Sequence, residues 1–299
     1  MIFNKTNMKQ LNIFLNYAVM PCLWCIFIIF LVVSDCLAFK PEEQHYPISK
    51  KAISLYQDCT GHVIPGELAK VFIDEVVAED NISLERLGNW HFYNNGKRIG
   101  RYYFLFYGAN DKTFQKLLTR LESLLASRGA RPEEIYKVAG HIAHHIQDMN
   151  CPAHVMPIYH VSEDKFDNYK PISIPGENTS GLCAILKEPV MPPRDIFEQA
   201  AQNTLKAVAG SVVFDSGRSV ENETWMKFWG GPDDKDLDGF KTYGAYGNVF
   251  GLIPPCASQI CRLYNKNTYD RFFNECYMRA VIDTMRLLLF INQRGKEFH

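Results

Sequence analysis

Residues 132–160 read PEEIYKVAGHIAHHIQDMNCPAHVMPIYH, and more of the architecture is written here than anywhere else in the chain. Apolar residues recur at three- and four-residue spacing, which predicts a helix over 132–149, and Pro152 then turns the chain. Five of the nine histidines fall in this stretch: His141, His144, His145, His154 and His160. On a helix His144 and Asp148 stand one above the other on one face, a spacing that can hold a metal ion. After the turn at Pro152, His154 can come back toward the same place. Imidazole and carboxylate donors without thiolates suit zinc in a water-bearing site rather than a closed structural one.

The same periodicity predicts further helices over 46–59, 66–79, 112–128, 194–213 and 269–294. The last carries an apolar stripe of Phe272, Cys276, Met278, Val281, Ile282, Met285, Leu288 and Leu289, which reads as core. Strand signals are sparse, the best being RYYFLFY over 101–107. Pro and Gly gather over 171–181, 189–193, 230–247 and 251–255, as loops between helices. No repeat is evident. The expectation is one all-α, multi-helix domain over 39–299.

The N-terminus reads differently. Lys5 and Lys9 precede an uncharged run over 11–33, densest in CLWCIFIIFLVV over 22–33, followed by Ser34-Asp35-Cys36-Leu37-Ala38. That pattern matches a signal peptide, residues 1–38, cut after Ala38. A retained membrane anchor is the rival, weakened by Asn12, Asn16 and Pro21 within the run. The localisation read from this is secreted or periplasmic. Cleavage leaves six cysteines, Cys59, Cys151, Cys183, Cys256, Cys261 and Cys276, an even number that permits up to three disulfides. Over the whole chain 32 Lys and Arg balance 33 Asp and Glu, so there is no basic field to grip duplex nucleic acid. No GxSxG motif marks a serine hydrolase.

Two more segments carry donors. Glu79-Asp80 closes a helical stretch and is followed by Asn89-Trp90-His91-Phe92-Tyr93, while His45 opens the helix HYPISKKAISLYQ. Together four blocks resemble the zinc-dependent phospholipase C and single-strand nuclease superfamily. They are Phe39-Lys40-Pro41 with His45, Ile48 and Ala52; Glu79-Asp80 with His91-Phe92-Tyr93; HHIQDMNCPAH over 144–154; and His160 followed by DKFDNY over 164–169. The third block is the most specific, and nothing after Tyr169 matches a motif.

The resemblance implies an all-α fold holding about three clustered zinc ions. It assigns Asp80, His91, His144 and Asp148 to one ion. A second takes His45, the main-chain amine and carbonyl of Phe39 as the first mature residue, and a carboxylate shared from Asp80 or Asp148. A third takes His154, His160 and an acid that is either Asp167, favoured by its aromatic setting, or Asp164, four residues after His160. Family members usually begin with Trp where Phe39 stands here. His141 and His145 match no ligand position and read as residues supporting the ligands or lining the helix face.

The implied reaction is hydrolysis of a phosphodiester by a metal-activated water, with Asp80 orienting that water. Phospholipid at a membrane surface is the favoured substrate, cut on the glycerol side of the phosphate. Single-stranded nucleic acid is the alternative, and a secreted zinc-binding protein without turnover is the non-enzymatic one. Tyr102, Tyr103, Trp225 and Trp229 read as core before they read as lipid-facing or base-stacking residues. The sequons at Asn81, Asn178 and Asn222 read as ordinary surface loops.

Overall fold

The computed structural model describes residues 44–80, 91–93, 110–156, 158, 164–169, 179–215, 220–230, 243–252 and 266–297. Among these the chain is mostly helical, with nine helices and one two-stranded sheet. The expected signal peptide, Phe39, His160, Tyr102 and Tyr103, the strand over 101–107, and the asparagines Asn81 and Asn178 lie outside the described residues. No described helix is long and apolar enough to cross a membrane.

Helix α1, Tyr46–Thr60, starts at a proline placed where no intrahelical N–H is lost, and buries Ile48, Ala52, Ile53, Leu55 and Tyr56 on one face. It stops at Gly61, which takes a left-handed conformation (φ 69°) and returns its N–H to the Gln57 carbonyl. Helix α2, Gly66–Ala78, follows Pro65 and buries Phe72 and Val76. Helix α3 is Asn110–Ala126.

Helix α4, Pro132–Asp148, opens with a proline and with Glu133 and Glu134, whose charges complement the positive end of the helix dipole. Its early turns are buried on one side only. From Val138 on, every residue except His141 is buried, including His144, His145, Gln147 and Asp148. Polar side chains in such a place require partners or a ligand.

Helix α4 packs most extensively on α2. Gly140 makes that approach possible, because a Cβ there would lie 2.6 Å from the Phe72 carbonyl oxygen and 2.8 Å from Glu75 Cβ. The helix-propensity cost of glycine, about 1 kcal/mol, is accepted for close packing. The turn after Asp148 leads into the one-turn helix α5, Pro152–Val155. Helix α6, Thr179–Ile185, begins inside the segment expected to be loop over 171–181. A disulfide joins Cys59 near the end of α1 to Cys183 of α6. Cys151 and Cys276 are free and buried, and Cys256 and Cys261 lie outside the described residues.

Helix α7, Pro193–Ala209, ends four residues earlier than the periodicity predicts. Gly210 takes an extended conformation there, and the β-branched pair Val212-Val213 goes instead into strand β1, Ser211–Asp215, antiparallel to β2, Val220–Thr224. Two adjacent β-branched residues after a glycine favour a strand, and a 3.6-residue count alone overlooks this. Asn222 therefore lies in a strand, not in a loop.

After the single turn α8, Met226–Trp229, the 32-residue helix α9, Lys266–Glu297, packs against α1, α4 and α7. Of its expected stripe, Phe272, Cys276, Val281, Met285, Leu288 and Leu289 are buried, whereas Met278 and Ile282 are half-buried. Trp225 and Trp229 are core residues: Trp225 stacks on Phe272 at 4.3 Å, and Trp229 packs against Phe166 and Phe250.

Candidate metal centre

Three separate stretches of chain bring donors to one buried point beside the end of α4. The start of α1 brings His45, the turn after α2 brings Asp80, and segment 91–93 brings His91. Helix α4 supplies His144 and Asp148, and α5 supplies His154. All six side chains are buried. Asp148 lies at the middle. Its Oδ1 is 3.4 Å from His45 Nε2, and its Oδ2 is 3.0 Å from His91 Nδ1, 3.3 Å from His144 Nε2 and 3.7 Å from His154 Nδ1. Asp80 faces three of these nitrogens, with Oδ1 3.6 Å from His144 Nε2 and 3.8 Å from His91 Nδ1, and Oδ2 3.9 Å from His45 Nε2.

Apart from the 3.0 Å approach of His91 to Asp148, which is also hydrogen-bond length, those spacings fit a metal better than direct hydrogen bonds. Two donors each about 2.1 Å from one ion at a near-tetrahedral angle stand about 3.4 Å apart, whereas N–H···O bonds close to about 2.9 Å. Two triads, His45–His144–Asp148 and Asp80–His91–His144, have donor atoms mutually within 4.8 Å and can each hold a metal ion.

The outer nitrogens fix the tautomers. His144 Nδ1 donates to the Val76 carbonyl, 2.8 Å away, so its Nε2 lone pair faces Asp148. His45 Nδ1 donates to Gln147 Oε1 at 2.8 Å. Gln147 is itself oriented, since its amide nitrogen donates to Ser49 Oγ at 3.0 Å and Thr284 Oγ1 at 3.1 Å, the latter hydroxyl being spent on the Ala280 carbonyl. His154 Nδ1 donates to the His91 carbonyl, and the Tyr93 N–H returns to the His154 carbonyl at 3.0 Å. That reciprocal pair clamps segment 91–93 to α5. Phe92 stacks on the His154 ring, and the Tyr93 hydroxyl reaches Glu198 and Gln202 of α7. In His91-Phe92-Tyr93, then, one residue faces the centre and two anchor the segment.

Electrostatics agree. Burial pushes the His91 and His144 imidazoles down to about 4, so both are neutral lone-pair donors near pH 7. Burial opposes ionisation of Asp148, yet the imidazoles packed around it, His144 and His154 first and His45 with them, hold it well below the ordinary carboxylate range. His45 is raised: burial lowers it, but the bond to Asp148 and the charges of Asp148 and Asp80 outweigh that. Buried carboxylates facing the neutral imidazoles of His91 and His144 leave negative charge that a cation would compensate.

Asp164 and Asp167 sit next to this cluster. Asp164 is committed to structure, accepting from the Phe166 N–H at 2.7 Å, Trp229 Nε1 at 3.2 Å and the Tyr243 hydroxyl at 2.8 Å. Asp167 accepts only the Cys151 thiol at 3.2 Å, and its Oδ2 is buried without a hydrogen-bond partner among the described residues. Burial, then the charges of Asp164, Asp148 and Asp80, raise its carboxyl well above the ordinary value. The same surroundings raise the Cys151 thiol well above its own.

Sequence reasoning did not make Glu79 or His145 a ligand, reading His145 as a residue that supports ligands or lines the helix face, and it gave Gln147 no part. Glu79 Oε1 is 3.3 Å from His145 Nε2, and Glu79 with His91 and His145 forms a third triad able to hold an ion. A signal existed: Glu75 and Glu79, and His141 and His145, are both pairs at four-residue spacing. Gln147 carried none.

Comparison with protein-family models, curated proteins and solved structures finds no match for this chain. Fold and site by themselves define a mostly helical protein with buried His, Asp and Glu groups that can hold metal ions.

Proposed function

We propose that this chain is an exported, zinc-dependent phosphodiesterase of the phospholipase C and single-strand nuclease type, with phospholipid at a membrane surface as its substrate. The observation that carries the reading is the convergence of His45, Asp80, His91 and His144 on Asp148 from segments far apart in sequence. The donor set is nitrogen and oxygen, which suits zinc in a catalytic site. Among the described residues the thiol beside the site, Cys151, is held protonated and bonded to Asp167, so it does not compete as a ligand. The Cys59–Cys183 disulfide is what a chain exported to an oxidising compartment would carry, which supports the signal-peptide reading of residues 1–38.

Clustered dications, when bound, neutralise the non-bridging oxygens of a phosphodiester and make water a nucleophile near neutral pH. The protein's own groups then have separable tasks. His45, His91, His144 and Asp148 hold and orient, with His154 beside them. Asp80 accepts a hydrogen bond from the incoming water and aligns it opposite the glycerol-side P–O bond; with two charges to share it is a weak base, so orientation is its role. Of the two acids after His160, the spare buried oxygen of Asp167 makes it the better donor for a third ion. The near-neutral net charge of −1 gives no added attraction for a polynucleotide.

Parallel assays of the zinc-loaded chain on phosphatidylcholine vesicles and on single-stranded DNA test this. Diacylglycerol release that falls below about 1% in Asp148→Asn supports it. Nucleotide release alone would move the substrate to nucleic acid, and full turnover by Asp148→Asn would sink the site.

A further inference from the structure

Beside the centre just described, on the face where α2 and α4 pack, lies a second group of donors. His145 is completely buried, and neither ring nitrogen has a hydrogen-bond partner among the described residues. A buried polar group left unsatisfied in this way is costly unless a ligand takes it up. Its Nε2 lies 3.3 Å from Glu79 Oε1, and His91 Nε2 approaches the same oxygen at 3.9 Å. The three donor atoms lie mutually within 4.8 Å. The first separation lies close to, and the second somewhat above, the value of about 3.4 Å expected for two donors on one tetrahedral ion.

The outer side of the group is built as well. Glu79 Oε2 is bonded by His141 Nδ1, and His141 Nε2 is 3.1 Å from Glu75 Oε2, whose other oxygen pairs with Lys137 at 2.9 Å. His141 is 22% exposed at its side chain and Glu79 8%, so the group lies just beneath the surface on the His141 side.

We infer that Glu79, His145 and His91 Nε2 form an accessory site for a zinc-like divalent cation, distinct from the centre around Asp148. The inference goes beyond the catalytic reading and shares with it only His91, whose ring stands between the two groups. Its Nδ1 lies 3.0 Å from Asp148 and its Nε2 faces Glu79. With both sides filled, that ring bridges two ions: the Nε2–H bond breaks as the Nε2–metal bond forms, and the proton passes to buffer. Water completes the coordination on the His141 side. A catalytic cluster would thus be extended toward the surface by one ion seated between α2 and α4.

The test is a zinc count on the full chain, stripped with chelator, reloaded and desalted, for wild type, His145→Gln, Glu79→Gln and Asp148→Asn. Circular dichroism and thermal melting without metal establish that each variant is folded. The expected result is one ion fewer in His145→Gln and in Glu79→Gln, with the ions that depend on Asp148 retained. Asp148→Asn should keep the ion that His145→Gln loses. A wild-type count in folded His145→Gln and Glu79→Gln overturns the inference. So does an Asp148→Asn chain that binds no ion, an outcome requiring neither of the other variants. A wild-type count in Asp148→Asn instead defeats the catalytic centre and leaves this site standing.

Discussion

The Nδ1 of His144 lies 2.8 Å from the carbonyl oxygen of Val76, and this bond between α4 and α2 determines which nitrogen of His144 faces Asp148. It exists only because Gly140 lets the two helices approach so closely. Gly140→Ala must push the α2 backbone away, an overpacking cost of about 1–3 kcal/mol that outweighs the gain in helix propensity. Urea denaturation of the metal-free protein should show that loss, and zinc affinity should fall with it. An unchanged or raised midpoint would mean that the helices are not locked at this contact.

Gln147 orients His45 and is itself held by Ser49 and Thr284. Gln147→Leu keeps the volume but removes the acceptor. Loss of such an outer partner typically lowers metal affinity 10–100-fold. Competition with a chelator reads this directly, and wild-type affinity in the variant would show that His45 needs no support.

The Cys59–Cys183 disulfide closes a loop with a sequence separation of 124. Chain-entropy arguments give it up to about 5 kcal/mol. Replacing both cysteines by serine should lower the denaturation midpoint, and reductant should lower that of wild type but not of the variant. Equal sensitivity of both proteins to reductant would contradict the assignment.

Cys276 is buried, and burial pushes its thiol up to about 11 against the opposing charge of Arg279. Because the thiolate is the nucleophile, about one thiol in a thousand is reactive at pH 8, and the fraction rises about tenfold per pH unit up to the pKa. Alkylation of the native protein at Cys276, followed by mass spectrometry, should be slow at pH 8 and accelerate in that proportion. Rapid labelling at pH 8 without denaturant would show the thiol to be exposed.

Much of the helical framework was legible because amphipathic periodicity and helix-stop signals agree, as they do for α1, where Pro47 and Gly61 bracket the apolar face. Where the signals conflict, counting fails: the period runs on through Val213, but Gly210 and two β-branched residues make a strand. The donors His144, Asp148 and His154 were legible because a helix and a proline turn fix their spacing. Glu79 and His145 were not assigned as ligands, since two pairs at four-residue spacing meet only once α2 and α4 are known to touch. Gln147 was invisible, because its role depends on Thr284 and Ser49, distant in sequence.

The central claim is that Asp148 sits among bound metal ions. X-ray diffraction from zinc-loaded crystals, collected on both sides of the zinc absorption edge, measures this without any assumption about substrate. The account predicts anomalous peaks within bonding distance, about 2.0–2.2 Å, of Asp148 and of at least two of His45, His91 and His144. A map in which zinc appears only on surface residues, with Asp148 bonded directly to the imidazoles, would contradict it.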